Sequence, residues 1–483
     1  MMTRLTPLAL ALPLTGCSVG PDYLRPSNWL PTAFSSAAPA PETANPAVEA
    51  RWWTLFADAT LNDLVDQALR SNADLRSAIA RVEQADAAAR EAGAAFFPAI
   101  DGQAGGNNSK LSTKSATWSV NSPDILRTRS AALTTSYEID VWGRIRRNNE
   151  AARANLLASR YGRDAVRLSV AGLVTGSYLN LRALDARLVV TGESLRSLEE
   201  SSRLVKAQVD AGQVSPLDQF QADAALAALQ AQMAELRRDR ALAEHQLALL
   251  TANPQLSITA GDIRQLPLPP LPPNGLPADL VDSRPDIRQA EQQLIAANAN
   301  IGVAKAGYYP KFSLTGSLGS ESKTLSDLFG AGASTWSVGL GMLMPILDYG
   351  RTTARVDQAK AINEQSLIAW QNALQAAYKE VRDALVRLRE DGEAESAQTL
   401  RFKNAEQALD IANRRYEAGY SGYLEVLVAQ RTSNDAQQAM IVSRQARLGA
   451  AVDLFKALGG GWRDDFADHG TATAPNAVSA SAS

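Results

Sequence analysis

The 483-residue chain holds one cysteine, Cys17, and two histidines, His245 and His469. A single cysteine forms no disulfide within the chain, and with two histidines it cannot assemble a Cys/His metal set. His245 falls inside a predicted helix and His469 near the tail, so no Ser-His-Asp arrangement is credible. Gly459-Gly460-Gly461 runs into Trp462, not into Lys and Ser or Thr, and reads as a helix-ending turn, not a phosphate loop. Lys and Arg total 48 against 51 Asp and Glu, which leaves no basic field for nucleic acid. Neither catalysis, a metal nor a cofactor is expected. One constellation remains: Ser215-Pro216-Leu217-Asp218 and Ser421-Gly422-Tyr423-Leu424-Glu425, each with an acid near the start of a helix. An N-cap, a proline in the first turn and an acid near the positive end of the helix dipole make an ordinary helix start, and the same carboxylates can also hold cations.

The N-terminus points to export. Met1 to Leu14 carries one cation, Arg4, and a short apolar run that ends in Leu14-Thr15-Gly16-Cys17. That run is far shorter than the ~20 residues of a spanning helix, so 1–16 reads as a removable signal. Cys17 after Leu-Thr-Gly resembles a bacterial lipobox, where the thiol becomes a thioether to diacylglycerol. In such lipoproteins Asp at the next position commonly marks retention at the inner membrane; Ser18 favours the outer membrane by that resemblance.

The positioning elements follow from an internal repeat. Asn72-Ala73-Asp74-Leu75-Arg76 corresponds to Arg284-Pro285-Asp286-Ile287-Arg288, and Ala95-Phe96-Phe97-Pro98 to Gly307-Tyr308-Tyr309-Pro310, with 24 residues from Asp to Pro in each half. Trp142-Gly143-Arg144 corresponds to Tyr349-Gly350-Arg351 and Ala211-Gly212 to Ala418-Gly419, with 69 residues between the glycines. Proline-free stretches rich in Ala, Leu, Arg, Gln and Glu predict long helices, and 144–210 as one helix would run about 100 Å. Such lengths suit a coiled-coil rod as well. Alternating segments precede each long helix: Trp336, Val338, Leu340, Met342, Met344 and Ile346 in 334–346; Leu133, Tyr137, Ile139 and Val141 in 130–142; Phe312, Leu314 and Leu318 in 312–319; and a weaker one after Pro98 with Asp101, Gln103 and Asn107 on its polar face. This pattern fits a membrane β-barrel and equally the half-buried strands of a soluble sheet; the export signal tips the balance toward the membrane. Four strands cannot close a barrel, so the chain is expected to oligomerise. The expected organisation is a signal at 1–16, a lipidated arm and equatorial segment at 17–58, a first repeat at 59–265, a Pro-rich linker at 266–277, a second repeat at 278–462 and a disordered tail at 463–483.

The chain resembles the outer-membrane factor lipoproteins of resistance-nodulation-division efflux systems, the TolC-like family and its OprM/NodT-like group. The resemblance rests on Cys17-Ser18-Val19-Gly20-Pro21-Asp22-Tyr23, Trp52-Trp53-Thr54-Leu55-Phe56, Ser283-Arg284-Pro285-Asp286-Ile287 with Ala290-Glu291 and Ile301-Gly302, and Leu454 to Trp462, in that order. It implies a mixed α and β membrane protein, a homotrimer whose four strands per chain make a twelve-stranded barrel continued by an α-helical periplasmic barrel. It further implies a lipid-anchored protein of the bacterial outer membrane. The implied partners are a periplasmic adaptor (membrane fusion protein), an inner-membrane transporter and the lipid bilayer. The implied function is a passive exit duct for drugs or other toxic compounds; a type I protein secretion duct shares the fold, and a structural tether is the third reading. By the same resemblance Asp218 and Glu425 face a constricted periplasmic tip, Tyr416 and Arg431 supply gate bonds, and Leu424 and Val428 line the gate. Val428 departs from relatives that carry a second acid there. Trp52 and Trp53 are expected to pack in the equatorial region.

Overall fold

The computed structural model describes residues 18–27, 50–110, 112–116, 118–119, 123, 125–270 and 284–461. Helices α1 (Ala59–Ser71) and α2 (Ala73–Ala94) lead into strands β1 (Ala99–Lys110) and β2 (Ile125–Ile139). Helices α3 (Arg144–Asp210) and α4 (Pro216–Leu250) follow. The same order returns as α5 (Pro285–Lys305), β3 (Lys311–Ser322), β4 (Ser334–Leu343), α6 (Arg351–Glu417) and α7 (Tyr423–Ala457). The expected 144–210 helix is present over its whole length, and the partner helix α6 has the same 67 residues. Among the described residues no helix is long and apolar enough to cross a membrane.

The described residues cluster into two compact units, each drawn from both halves of the sequence: those within 18–27, 82–158 and 290–369 in one, and those within 50–81, 159–270, 284–289 and 370–461 in the other. The first unit contains the sheet, an antiparallel meander in the order β1-β2-β3-β4. Ala99 pairs with Ser136, Ile139 with Phe312, and Lys311 with Leu343. Trp336, Val338, Leu340 and Met342 share one exposed face of β4, opposite Thr335, Ser337, Gly339 and Gly341. A row of exposed large apolar side chains at period two is what a strand facing lipid presents. The arm from Ser18 is pinned in this unit: Val19 N donates to Trp142 O at 3.0 Å, Asn298 Nδ2 to Pro21 O at 3.0 Å, and Arg25 pairs with Glu291 at 3.0 Å. Gly20 is left-handed (φ +118) and so close to Gly302 that a Cβ on either would collide with backbone.

The second unit has the larger apolar core. Helix α1 starts on Asp58, whose side chain accepts from Leu61 N at 3.1 Å, and buries Leu61, Leu64, Val65 and Ala68, one helical stripe. Trp52 stacks on Phe455 with ring centres 5.6 Å apart and meets Trp53 edge-on at 5.8 Å. Both tryptophans are therefore core residues. The turns of the hairpins α3–α4 and α6–α7, which fall in this unit, carry the candidate site.

Candidate functional site

Both hairpins turn on a left-handed glycine, Gly212 (φ +73) and Gly419 (φ +78). Gln213 N donates to Gln208 O and Tyr420 N to Arg415 O, each at 2.8 Å. These five-back bonds complete Schellman ends, which a β-carbon at the glycine would strain. Beyond the first turn, Ser215 caps α4 by accepting from Leu217 N at 3.2 Å, with Pro216 in the first helical position. Half-buried Asp218 occupies the first turn. Beyond the second, Gly422 offers no side-chain cap to α7, and exposed Glu425 takes the equivalent first-turn position.

What seats the second hairpin is a small apolar cluster. Val205, Ala222 and Tyr423 are buried together, with Val209, Val214, Tyr416 and Leu427 packed around them. The Tyr416 and Tyr423 rings lie 5.8 Å apart, and Tyr416 Oη donates to Gln208 Oε1 at 2.8 Å, which ties α6 to α3. Burial pushes the Tyr423 phenol above its usual range, with the neighbouring Tyr416 next in effect and Asp218 and Asp223 also raising it. Tyr423 is therefore neutral at physiological pH. Higher up, Gln430 Nε2 donates to Ser197 Oγ at 3.0 Å, and Gln438 bridges to Arg187 and Thr191, so α7 lies on α3 through polar contacts.

The sequence-predicted residues divide into two groups. Leu424, Val428 and Arg431 line one 520 Å³ cavity between α3, α4 and α7, facing Leu198, Gln221 and Ala225. Asp218, Glu425 and Tyr416 are not on its wall. Arg431 is 85% exposed at its side chain and reaches Asp435 of its own helix at only 3.9 Å; Glu425 pairs across the turn with Arg415 at 3.3 Å. Arg415, Gln208 and Tyr423 are thus structural partners that sequence reasoning gave no role. The signal for Arg415 was a cation ten residues before Glu425, on the other side of Gly419. Cys17 lies outside the described residues, although its neighbour Ser18 sits against Gly143, where β2 gives way to α3. The arrangement has no nucleophile beside a base; among the described residues no group of three or more His, Cys, Asp or Glu is placed to hold a metal. The cavity offers a partly apolar wall with the charged side chains of Arg431 and Asp435 on it.

Comparison with known proteins is consistent with that picture. The family described as outer membrane efflux protein matches residues 64–253 and 276–460. The cation efflux system protein CusC of Escherichia coli O6:H1 is 33% identical over 467 residues, covering 95% of this chain and 99% of the relative. The toluene efflux pump outer membrane protein TtgI of Pseudomonas putida is 34% identical over 477 residues, covering 96% and 99%. Among solved structures, the CmeC outer membrane channel of Campylobacter jejuni superposes with a TM-score of 0.86 at 27% identity, covering 92% of this chain and 95% of that one. The open MtrE channel of Neisseria gonorrhoeae gives 0.81 at 28% identity, covering 92% and 98%. Four antiparallel strands with paired long helices are the TolC-like fold those channels share. The chain belongs to the outer membrane efflux protein family: it is the outer-membrane channel component of an efflux pump and not an enzyme.

Proposed function

We propose that three copies of the chain form the passive exit duct of a tripartite pump, carrying small toxic compounds from an inner-membrane resistance-nodulation-division transporter, through a periplasmic adaptor, to the exterior. The observation that carries this reading is the sheet: four strands with an exposed apolar face and two unpaired edges, which lipid cannot tolerate and three copies would close into twelve strands. Residues 1–16 are removed on export, and Cys17 receives the lipid. The anchorage of Ser18 and Val19 beside Gly143 and Trp142 supports this, because it holds the arm at the helix-side end of the strands. Three acyl chains hold firmly where one binds only marginally. The hairpin tips form the periplasmic gate, with Leu424, Val428 and Arg431 on the wall of the constriction and Asp218, Glu425 and Tyr416 setting its charge and its hold on α3.

The test is a strain lacking only this chain. It becomes more susceptible to small toxic compounds and accumulates a labelled one, while polypeptide secretion continues. Unchanged accumulation with loss of a secreted polypeptide would replace efflux with protein secretion.

A further inference from the structure

The cavity between α3, α4 and α7 is kept open by small side chains. Ala224, Ala225 and Ala228 of α4 line it, and a longer side chain at any of them would take up part of its 520 Å³. That volume lies within the ~300–1,000 Å³ of small-molecule sites. Leu198 of α3 and Leu427 and Val428 of α7 give it apolar walls.

Its polar groups are mainly acceptors that lack donors. Gln221 and Gln430 both line the cavity, and the side-chain oxygen of each is buried and meets no donor among the described residues. The Gln430 nitrogen already donates to Ser197 Oγ at 3.0 Å, and Ser194 Oγ on the same wall already donates to Asn434 Oδ1 at 3.1 Å. A buried acceptor left without a donor is costly, so such atoms are rare in folded proteins. The terminal torsion of glutamine is soft, and a donor placed in the cavity can turn either oxygen toward itself. Asp435 adds a carboxylate. Its cation, Arg431 of the same helix, stays 3.9 Å away and is 85% exposed at its side chain. An ion pair that long and that wet holds neither partner firmly.

The geometry points to a binding site for a small protonated amine with an apolar body. An ammonium brings three donors and no acceptor, which is what Gln221, Gln430 and Asp435 lack. The body packs on Leu198, Leu427 and Val428. An anionic ligand would meet only further oxygens at these groups, and a purely apolar one would leave them unbonded. The inference names a class of compound that the proposed exit duct holds on its way out; it rests on that reading for its role, whereas the site itself stands on the cavity.

The probe is phenethylamine, titrated calorimetrically into the full-length protein in detergent against detergent alone. Phenethyl alcohol and phenylacetate serve as its neutral and anionic counterparts. The amine binds roughly tenfold or more tighter than the alcohol, the margin of a hydrogen bond to a charged group, and phenylacetate does not bind. Asp435→Asn, at a half-exposed side chain, removes that preference and leaves alcohol binding and the melting profile as they were. Gln221→Met weakens the amine a few-fold, and Ala225→Leu, which fills the cavity, abolishes binding of both. Equal binding of amine and alcohol, or a preference that survives Asp435→Asn, overturns the site. Amine accumulation in cells lacking the chain is scored separately. Binding without raised accumulation keeps the site and loses the duct, whereas raised accumulation without binding loses the site and keeps the duct.

Discussion

At Gly212 and Gly419 the same left-handed turn reverses a 67-residue helix into a 35-residue one, yet the helices that follow are held by different means. Helix α4 starts on its own cap, Ser215, with Pro216 fixing the first turn. Helix α7 has no side-chain cap and depends on contacts made elsewhere: Tyr423 in the cluster with Val205 and Ala222, Tyr416 on Gln208, and Glu425 on Arg415. A locally capped start keeps its shape wherever the hairpin goes. A start that depends on its neighbour's surface can be released when that surface is lost, and this makes the second hairpin the moving part of the proposed gate.

The largest expected effect is therefore Tyr423→Ala. Emptying a buried aromatic site costs on the order of 3 kcal/mol, here concentrated at one tip. Limited proteolysis should cut 418–422 much faster in the variant, while the exposed equivalent region around Leu217 is cut as in the parent. Equal protection of both tips would erase the contrast. Next comes Ser215→Ala, which removes a cap worth about 1 kcal/mol. It should lower thermal stability measurably and leave conductance unchanged, because the cap acts within the first turn of α4 and leaves the cluster that seats Tyr423 in place. Smaller again is Arg415→Ala. Its ion pair with Glu425 is about half exposed on both sides, so solvent and salt hold it to at most ~1 kcal/mol per chain. The open fraction in single-channel recordings should rise a few-fold at low salt and converge with the parent at high salt.

The smallest effect is expected away from the tips. Burial and the carboxylate of Glu291 push the Tyr23 phenol from 10.0 up to about 12, because both disfavour its ionised form. Its contribution to holding the arm is thus complete below pH 10 and lost as the pH rises through about 12. Arm protection measured by hydrogen exchange should fall in that window, and Tyr23→Phe should remove that part of the dependence.

Much of this was legible in the sequence because it is periodic. Absence of proline between 123 and 216 and the 69-residue glycine spacing sufficed for α3 and its turn, and alternation sufficed for β4. Strand ends were less legible: β2 starts at Ile125, not 130, because its upper residues are paired by Asn107 to Lys110, a stretch with no apolar alternation of its own. At the tips, the helix starts could be read from Ser215, Pro216 and Gly422. The Arg415 to Glu425 pair and the Tyr416 to Gln208 bond could not, since each depends on how two helices rotate about each other once packed. For the same reason three of the six proposed gate residues, Leu424, Val428 and Arg431, line the cavity and the other three lie off its wall, a division no spacing announces.

The claim that charge at the second tip governs the proposed gate is tested most directly by single-channel conductance in a planar bilayer, with and without millimolar divalent cation on the periplasmic side. Asp218 is half-buried and lies near enough to Tyr423 to raise its phenol, whereas Glu425 is exposed. The parent should be blocked by the cation, Glu425→Ala should lose the block, Asp218→Ala should keep most of it, and Val428→Asp should strengthen it. Identical block in all four proteins would contradict the gate and leave these residues as helix-start and packing positions.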